Sequence, residues 1–193
     1  MKYLITCLAL CLLTAKAIAA APDGSFAVDG PGSQPCSSFV QALESDNKTA
    51  TIAYAAWTEG FTTGVNVFRE QTFDITPWQT TSLLLAKMRA FCQNNPDMAY
   101  VDALGRLIAT LMRDRLGESS PLVQTRYKGK AVALPAAIVQ RVRAALQQQG
   151  ATISSPQGGF DQSFADALIA YQKANALVPT GLPDQPTLNA LFP

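Results

Sequence analysis

The start of the chain settles which residues are left to fold. Met1-Lys2 is a short positive beginning, 4–13 is apolar apart from Thr6, and Ala17-Ile18-Ala19 is a small-x-small cleavage site. This is the layout of a secretory signal peptide over 1–19, with cleavage expected after Ala19 and delivery to the periplasm. The apolar run is too short for a retained anchor, since a bilayer takes roughly 20 apolar residues. Lipid attachment is not expected, because Thr6 precedes Cys7 and Leu10 precedes Cys11, where a small residue is needed. No membrane contact is expected after cleavage.

Cleavage removes Cys7 and Cys11 and leaves Cys36 and Cys92. Two cysteines in an oxidising compartment pair, so a disulfide is expected between them. The closed loop would constrain the unfolded chain by roughly 4 kcal/mol. Two cysteines without any histidine do not make a metal site, and the sequence calls for no cofactor.

The formal charge is +1 and falls by two when Lys2 and Lys16 leave. Nucleic-acid binders carry a strong basic surplus, so that class is excluded. The basic residues gather late: Arg126, Lys128, Lys130, Arg141, Arg143 and Lys173 stand against Asp161, Asp166 and Asp184. A mildly cationic C-terminal part suits an anionic polymer such as a cell wall.

Residues 20–35 are rich in Gly, Pro and Ser and read as a flexible leader. From 36 to 117 the pattern is helical, and four helices are expected. The first covers 37–44. The second covers 49–68, with Ile52, Ala56, Phe61, Val65 and Phe68 as its apolar stripe and Gly60 and Gly64 allowing close helix packing. The third begins at Pro77, with Thr76 as N-cap and Gln79 completing a capping box. The fourth begins after Asn95, with Pro96 and Asp97 in its first turn, and ends at Gly117. The aromatic residues Trp57, Phe61, Phe68, Phe73 and Trp78 read as core. Cys36 and Cys92 would staple the first helix to the third.

Residues 118–134 read as a linker, and three short helices fit 135–193. Val139, Val142 and Leu146 keep helical spacing and Gly150 stops the first; Phe164, Leu168 and Tyr171 mark the second; Asp184 caps a last short one. The expected fold class is therefore all-α, a disulfide-stapled four-helix unit followed by a three-helix unit. Several residues of the C-terminal segment also fall in an ordered series. Val142, Leu146 and Gly150 fill a V-x-x-x-L-x-x-x-G helix, Gln157-Gly158-Gly159-Phe160-Asp161 a glycine turn, and Ala167-Leu168 with Tyr171-Gln172 an A-[VIL]-x-x-F-Q run. Leu177, Thr180, Gly181, Asp184, Thr187, Leu188 and Leu191 fill G-L-x-x-T-G-x-x-D-x-x-T-L-x-x-L. On these residues 135–193 resembles the peptidoglycan-binding domain appended to amidases, transpeptidases and lytic enzymes. The departures are Gln157 in place of the usual turn Asp, Asp161 in place of Gly and Phe164 where Thr is common; all lie at the turn that, by the resemblance, borders the ligand groove.

Recognition of sugar and stem peptide asks for turn amides, amide side chains, a cation for carboxylates and an aromatic face. The candidates are Gly158, Gly159, Phe160 and Asp161 in the turn, Tyr171 and Asn175 on the second helix, and Arg143 as the cation.

No catalytic residue is expected. A chain without histidine has no Ser-His-Asp triad, no Cys-His pair and no His-ligated zinc. Carboxylate chemistry would fall to Glu59 as general acid, beside Trp57 and Phe61. The run Trp57-Thr58-Glu59-Gly60-Phe61-Thr62-Thr63-Gly64, with Cys36, Cys92 and Cys92-Gln93-Asn94-Asn95-Pro96, resembles small disulfide-bonded periplasmic proteins. These are the HdeA-like acid-stress chaperones and the immunity proteins that neutralise wall-amidase toxins. The expected role is a non-catalytic wall-binding protein whose N-terminal unit engages an envelope protein partner. The alternatives are an immunity or inhibitor protein against a wall-degrading toxin, and a wall hydrolase using Glu59.

Overall fold

The computed structural model describes residues 21, 23–154 and 159–193. The signal peptide and the turn residues Gln157 and Gly158 lie outside the described residues. Four helices come first: α1 (Cys36–Glu44), α2 (Lys48–Phe68), α3 (Thr81–Gln93) and α4 (Tyr100–Leu111). A hairpin follows, β1 (Leu122–Tyr127) paired antiparallel to β2 (Lys130–Pro135). It leads into α5 (Ala136–Gln148), α6 (Gln162–Ala174) and α7 (Gln185–Leu191). The all-α expectation is corrected: the fold is mostly helical and includes a two-stranded sheet. Among the described residues no helix is long and apolar enough to cross a membrane.

The first core forms where α1, α3 and α4 converge on Phe39, Tyr54, Leu84, Met88, Tyr100 and Leu104. Cys36 and Cys92 are bonded, with Cα atoms 4.9 Å apart, and this ties α1 to the end of α3. Phe39, Tyr54 and Tyr100 pack as a triad with ring centroids 4.8–5.0 Å apart. The buried stripe of α2 is Tyr54, Thr58 and Thr62; of the expected stripe Phe61 and Val65 pack against this core, while Ile52 is 67% and Phe68 87% exposed. Threonine can occupy those positions because its hydroxyl is paired. Thr58 Oγ1 reaches the Tyr54 carbonyl and the Tyr100 hydroxyl, each at 2.8 Å.

Three further differences have local causes. The third helix starts at Thr81, capped by Thr80, rather than at Pro77, because the chain bends at Pro77 and Trp78 and Trp78 joins a second core. The fourth helix starts at Tyr100, so Asp102, not Asp97, sits in its first turn. It ends at Leu111 in a short 3-10 turn, well before Gly117. From Asp29 the segment expected to be a flexible leader is packed: its carbonyl accepts from Trp57 Nε1 at 2.9 Å, and Gly32 lies flat against the Trp57 ring, leaving no room for a side chain.

The second core gathers Leu134, Ile138, Val139, Val142, Leu146, Phe164, Leu168 and Leu188, together with Trp78 and Leu116 from the earlier part of the chain. The hairpin replaces the expected linker. Its two-residue turn, Lys128-Gly129, has φ of 46° and 77°, the type I′ geometry that matches the twist of paired strands. Polar contacts seal the junction. The Gln185 amide donates to the Trp78 carbonyl and accepts from the Thr80 N–H, at 3.2 and 3.0 Å. The Arg141 guanidinium donates to the carbonyls of Asp114 and Arg115.

Candidate functional site

The C-terminal helices are fixed by one buried amide. Gln172 is fully buried on α6, and its Nε2 lies 2.8–3.0 Å from Thr187 Oγ1, the Leu182 carbonyl and Thr180 Oγ1. Its Oε1 accepts from the Gly181 N–H at 2.9 Å. Asp184 completes the set: it caps α7 by accepting from the Thr187 N–H, and it accepts from the Thr180 hydroxyl at 2.6 Å. The Gln, Thr-Gly, Asp and Thr of the sequence series are therefore one hydrogen-bonded unit that pins the 180–182 turn between α6 and α7.

Against this frame the proposed binding residues divide into two groups. Arg143, Gly159, Phe160 and Asp161 cluster at the start of α6. Arg143 is only 6% exposed; its Nη2 donates to the Gly159 carbonyl at 2.6 Å and its Cζ lies 4.8 Å from the Phe164 ring centroid. Its charge is spent on the loop carbonyl and on the aromatic face. Phe160 packs on Phe164 with centroids 5.1 Å apart. The Asp161 carboxylate accepts from the Phe164 N–H at 3.1 Å and from the Ser163 hydroxyl at 2.7 Å, the N-cap arrangement. An N-cap is a physical reason for Asp at this position.

Tyr171 and Asn175 form the second group, about 14 to 20 Å from the start of α6 by the helical rise. They line an open groove of about 330 Å³ with Leu146, Gln149, Gly150 and Ala167. Its floor is aliphatic and alanine-rich, Tyr171 presents one edge of a largely buried ring, and exposed Gln149 and Asn175 supply amides at the rim. Burial pushes the Tyr171 hydroxyl pKa up, so it stays a neutral donor. An apolar floor with an aromatic edge and an amide rim is suited to sugar rings and peptide amides. Gln149 went unnoticed in the sequence. The available signal was its place beside Gly150, whose φ of +90° ends α5 and turns the chain over the groove.

A larger groove, about 810 Å³, opens between α2 and α4, lined by Phe61, Val65, Phe68, Arg69, Ile108 and Met112 among others. Gly64 and Gly105 also line it, and a Cβ at either, as at Gly60, would meet nothing within 4 Å. The expectation that Gly60 and Gly64 serve close helix packing is corrected, since they face open space. Glu59 lies exposed on α2, where its carboxylate accepts from the Thr81 hydroxyl at 2.6 Å.

Residues 136–191 match the family model described as "Putative peptidoglycan binding domain". The match spans α5 to α7 and agrees with the resemblance read over 135–193; α1 to α4 and the hairpin lie outside it. No curated protein and no solved structure matches the chain.

Proposed function

We propose that this is an exported, non-catalytic envelope protein: residues 135–193 hold peptidoglycan, and residues 36–117 engage an envelope protein partner in the periplasm. The wall-binding half is carried by the family match over 136–191. The groove edged by Tyr171, Asn175 and Gln149 is lined entirely by residues of that match. The disulfide supports an oxidising compartment. The partner half is supported by the unfilled α2–α4 groove, where Phe61, Val65 and Ile108 offer apolar surface and exposed Arg69 sits at the edge. That lining suits an apolar partner segment bearing a carboxylate.

The test is co-sedimentation of the mature protein with purified sacculi. Wild type should pellet with the wall, and Gln149→Ala/Asn175→Ala should weaken binding by roughly tenfold through two lost amide contacts. Failure of wild type to pellet ends the wall-binding reading; equal binding by the variant moves the contact away from this groove. The supernatants should contain no soluble muropeptides. Release that disappears in Glu59→Gln would make the protein a hydrolase instead. Cross-linking from a photoreactive residue at Phe68 should capture an envelope protein, and capture of a secreted toxin or a wall hydrolase gives the inhibitor version of the role.

A further inference from the structure

We propose that the tip of the β1–β2 hairpin is a second wall-contact site, a cationic one that takes the carboxylates of peptidoglycan stem peptides. The proposal rests on the wall-binding reading of residues 135–193 and extends it to a segment outside the family match. In the strand register Tyr127 faces Lys130, and Val123, Thr125 and Tyr127 share a face with Val132 and Leu134. That face is turned inward. Thr125 is 1% and Leu134 6% exposed. Tyr127 lies against Gly181, so close that a Cβ there would come within 2.8 Å of its ring, and its hydroxyl is 3.4 Å from the Gln162 amide. The hairpin is thus docked onto α6 and the 180–182 turn.

Docking the inner face leaves the tip with little but charge. Arg126, Lys128 and Lys130 are all exposed. None of them makes an ion pair among the described residues, where the ion pairs are Arg89–Glu44 and Arg113–Asp114. The Lys128 ammonium lies 5.3 Å from the Tyr127 ring centroid, and Arg126 touches the Gln124 amide. The acid on the adjoining face of α6, Asp166, accepts from the Gln162 amide at 2.7 Å, and Lys173 follows it on the same helix face. Three exposed cations fall within five residues at the tip: by the register Lys130 lies on the face of Tyr127 and Arg126 on the opposite one, with Lys128 in the turn between them, so the docked hairpin presents positive charge around its end. A repeating array of carboxylates fits this better than a lipid surface, because the tip has no apolar side chain to insert: Tyr127 is packed inward and exposed Leu122 is at the opposite end of β1.

The experiment uses full-length mature protein, purified sacculi and the variant Arg126→Gln/Lys128→Gln/Lys130→Gln, at low and high salt. Wild-type binding should weaken with salt, because exposed charge pairs are screened. The variant should bind at least about fivefold more weakly at low salt, from three surface pairs of ordinary strength, and should lose most of the salt dependence. Sacculi whose stem carboxylates have been amidated should reduce wild type to the level of the variant, a readout independent of any effect of the substitutions on folding. If wild type does not bind sacculi, the wall-binding reading itself fails. If wild type binds but the variant matches it, or amidation changes nothing, the hairpin proposal alone is overturned. Binding to phosphatidylglycerol vesicles that the variant loses, with sacculi binding unchanged, would overturn it in favour of a membrane contact.

Discussion

Replacing Gln172 with Met removes the polar head of a fully buried side chain while keeping nearly its volume. Four groups contact that amide: Thr180 Oγ1, the Leu182 carbonyl, Thr187 Oγ1 and the Gly181 N–H. The two threonine hydroxyls keep Asp184 as a partner. The Gly181 N–H loses its acceptor, and the Leu182 carbonyl keeps only the long 3.4 Å approach of Thr180. Each buried group left without a good partner costs roughly 1–3 kcal/mol, so Gln172→Met should destabilise the C-terminal helices by about 3 kcal/mol. At about 4–8 °C per kcal/mol for a unit of this size, the melting midpoint should fall by at least about 10 °C. The chain has two tryptophans, and Trp78 belongs to the second core. In a Trp57→Phe background its fluorescence follows that core alone. A Gln172→Met variant within about 0.5 kcal/mol of its parent would refute the reasoning, because the buried amide would then contribute shape and not hydrogen bonds.

Two further outcomes are expected. Thiol titration of denatured, unreduced protein should find neither Cys36 nor Cys92 free, and reducing the bond, which spans a sequence separation of 56, should destabilise the first unit by up to about 4 kcal/mol. Burial pushes the Tyr100 hydroxyl up to about 12, above its ordinary 10. The unfolded chain therefore releases this proton first, so the contribution is intact below pH 10 and is lost as pH rises towards about 12. Denaturation across that window should show the loss, and Tyr100→Phe should flatten it; an unchanged pH profile in the variant would remove Tyr100 as the cause.

What could be read from the sequence follows how local each cause is. The C-terminal helices were legible because their signals are local: Gly150 and Asp184 act on residues within one turn, and Phe164, Leu168 and Tyr171 keep helical spacing, whereas Asp161, read as a ligand contact, caps α6. The cysteine pair was legible from compartment and count. The start of the third helix was not, because Thr76, Pro77 and Gln79 form a sound local capping pattern that is overridden by the burial of Trp78 in a distant core. The stripe of α2 was misread because apolar letters were preferred, while the core there is completed by threonines whose hydroxyls are satisfied. The hairpin left a signal in the alternation of Val123, Thr125 and Tyr127 and again of Val132 and Leu134, but the basic, glycine-containing turn between them resembled a linker. At the site, Tyr171 and Asn175 do share a groove, while Arg143 serves the loop, a use visible only once Gly159 and Phe164 are placed around it.

The joint sealed by Trp78, Leu116, Gln185 and Arg141 has a mechanical consequence. A floppy tether lets whatever it carries sample a volume, and the local concentration it provides falls as the tether lengthens. On the proposed function, the α2–α4 groove would instead be held like a jaw on a bracket, at a set standoff from the wall surface that α5 to α7 would grip. A partner would be selected for its height above that surface as well as for its chemistry. Softening the bracket, for instance with Gln185→Ala and Arg141→Ala together, would widen the range of heights reached without altering either gripping surface.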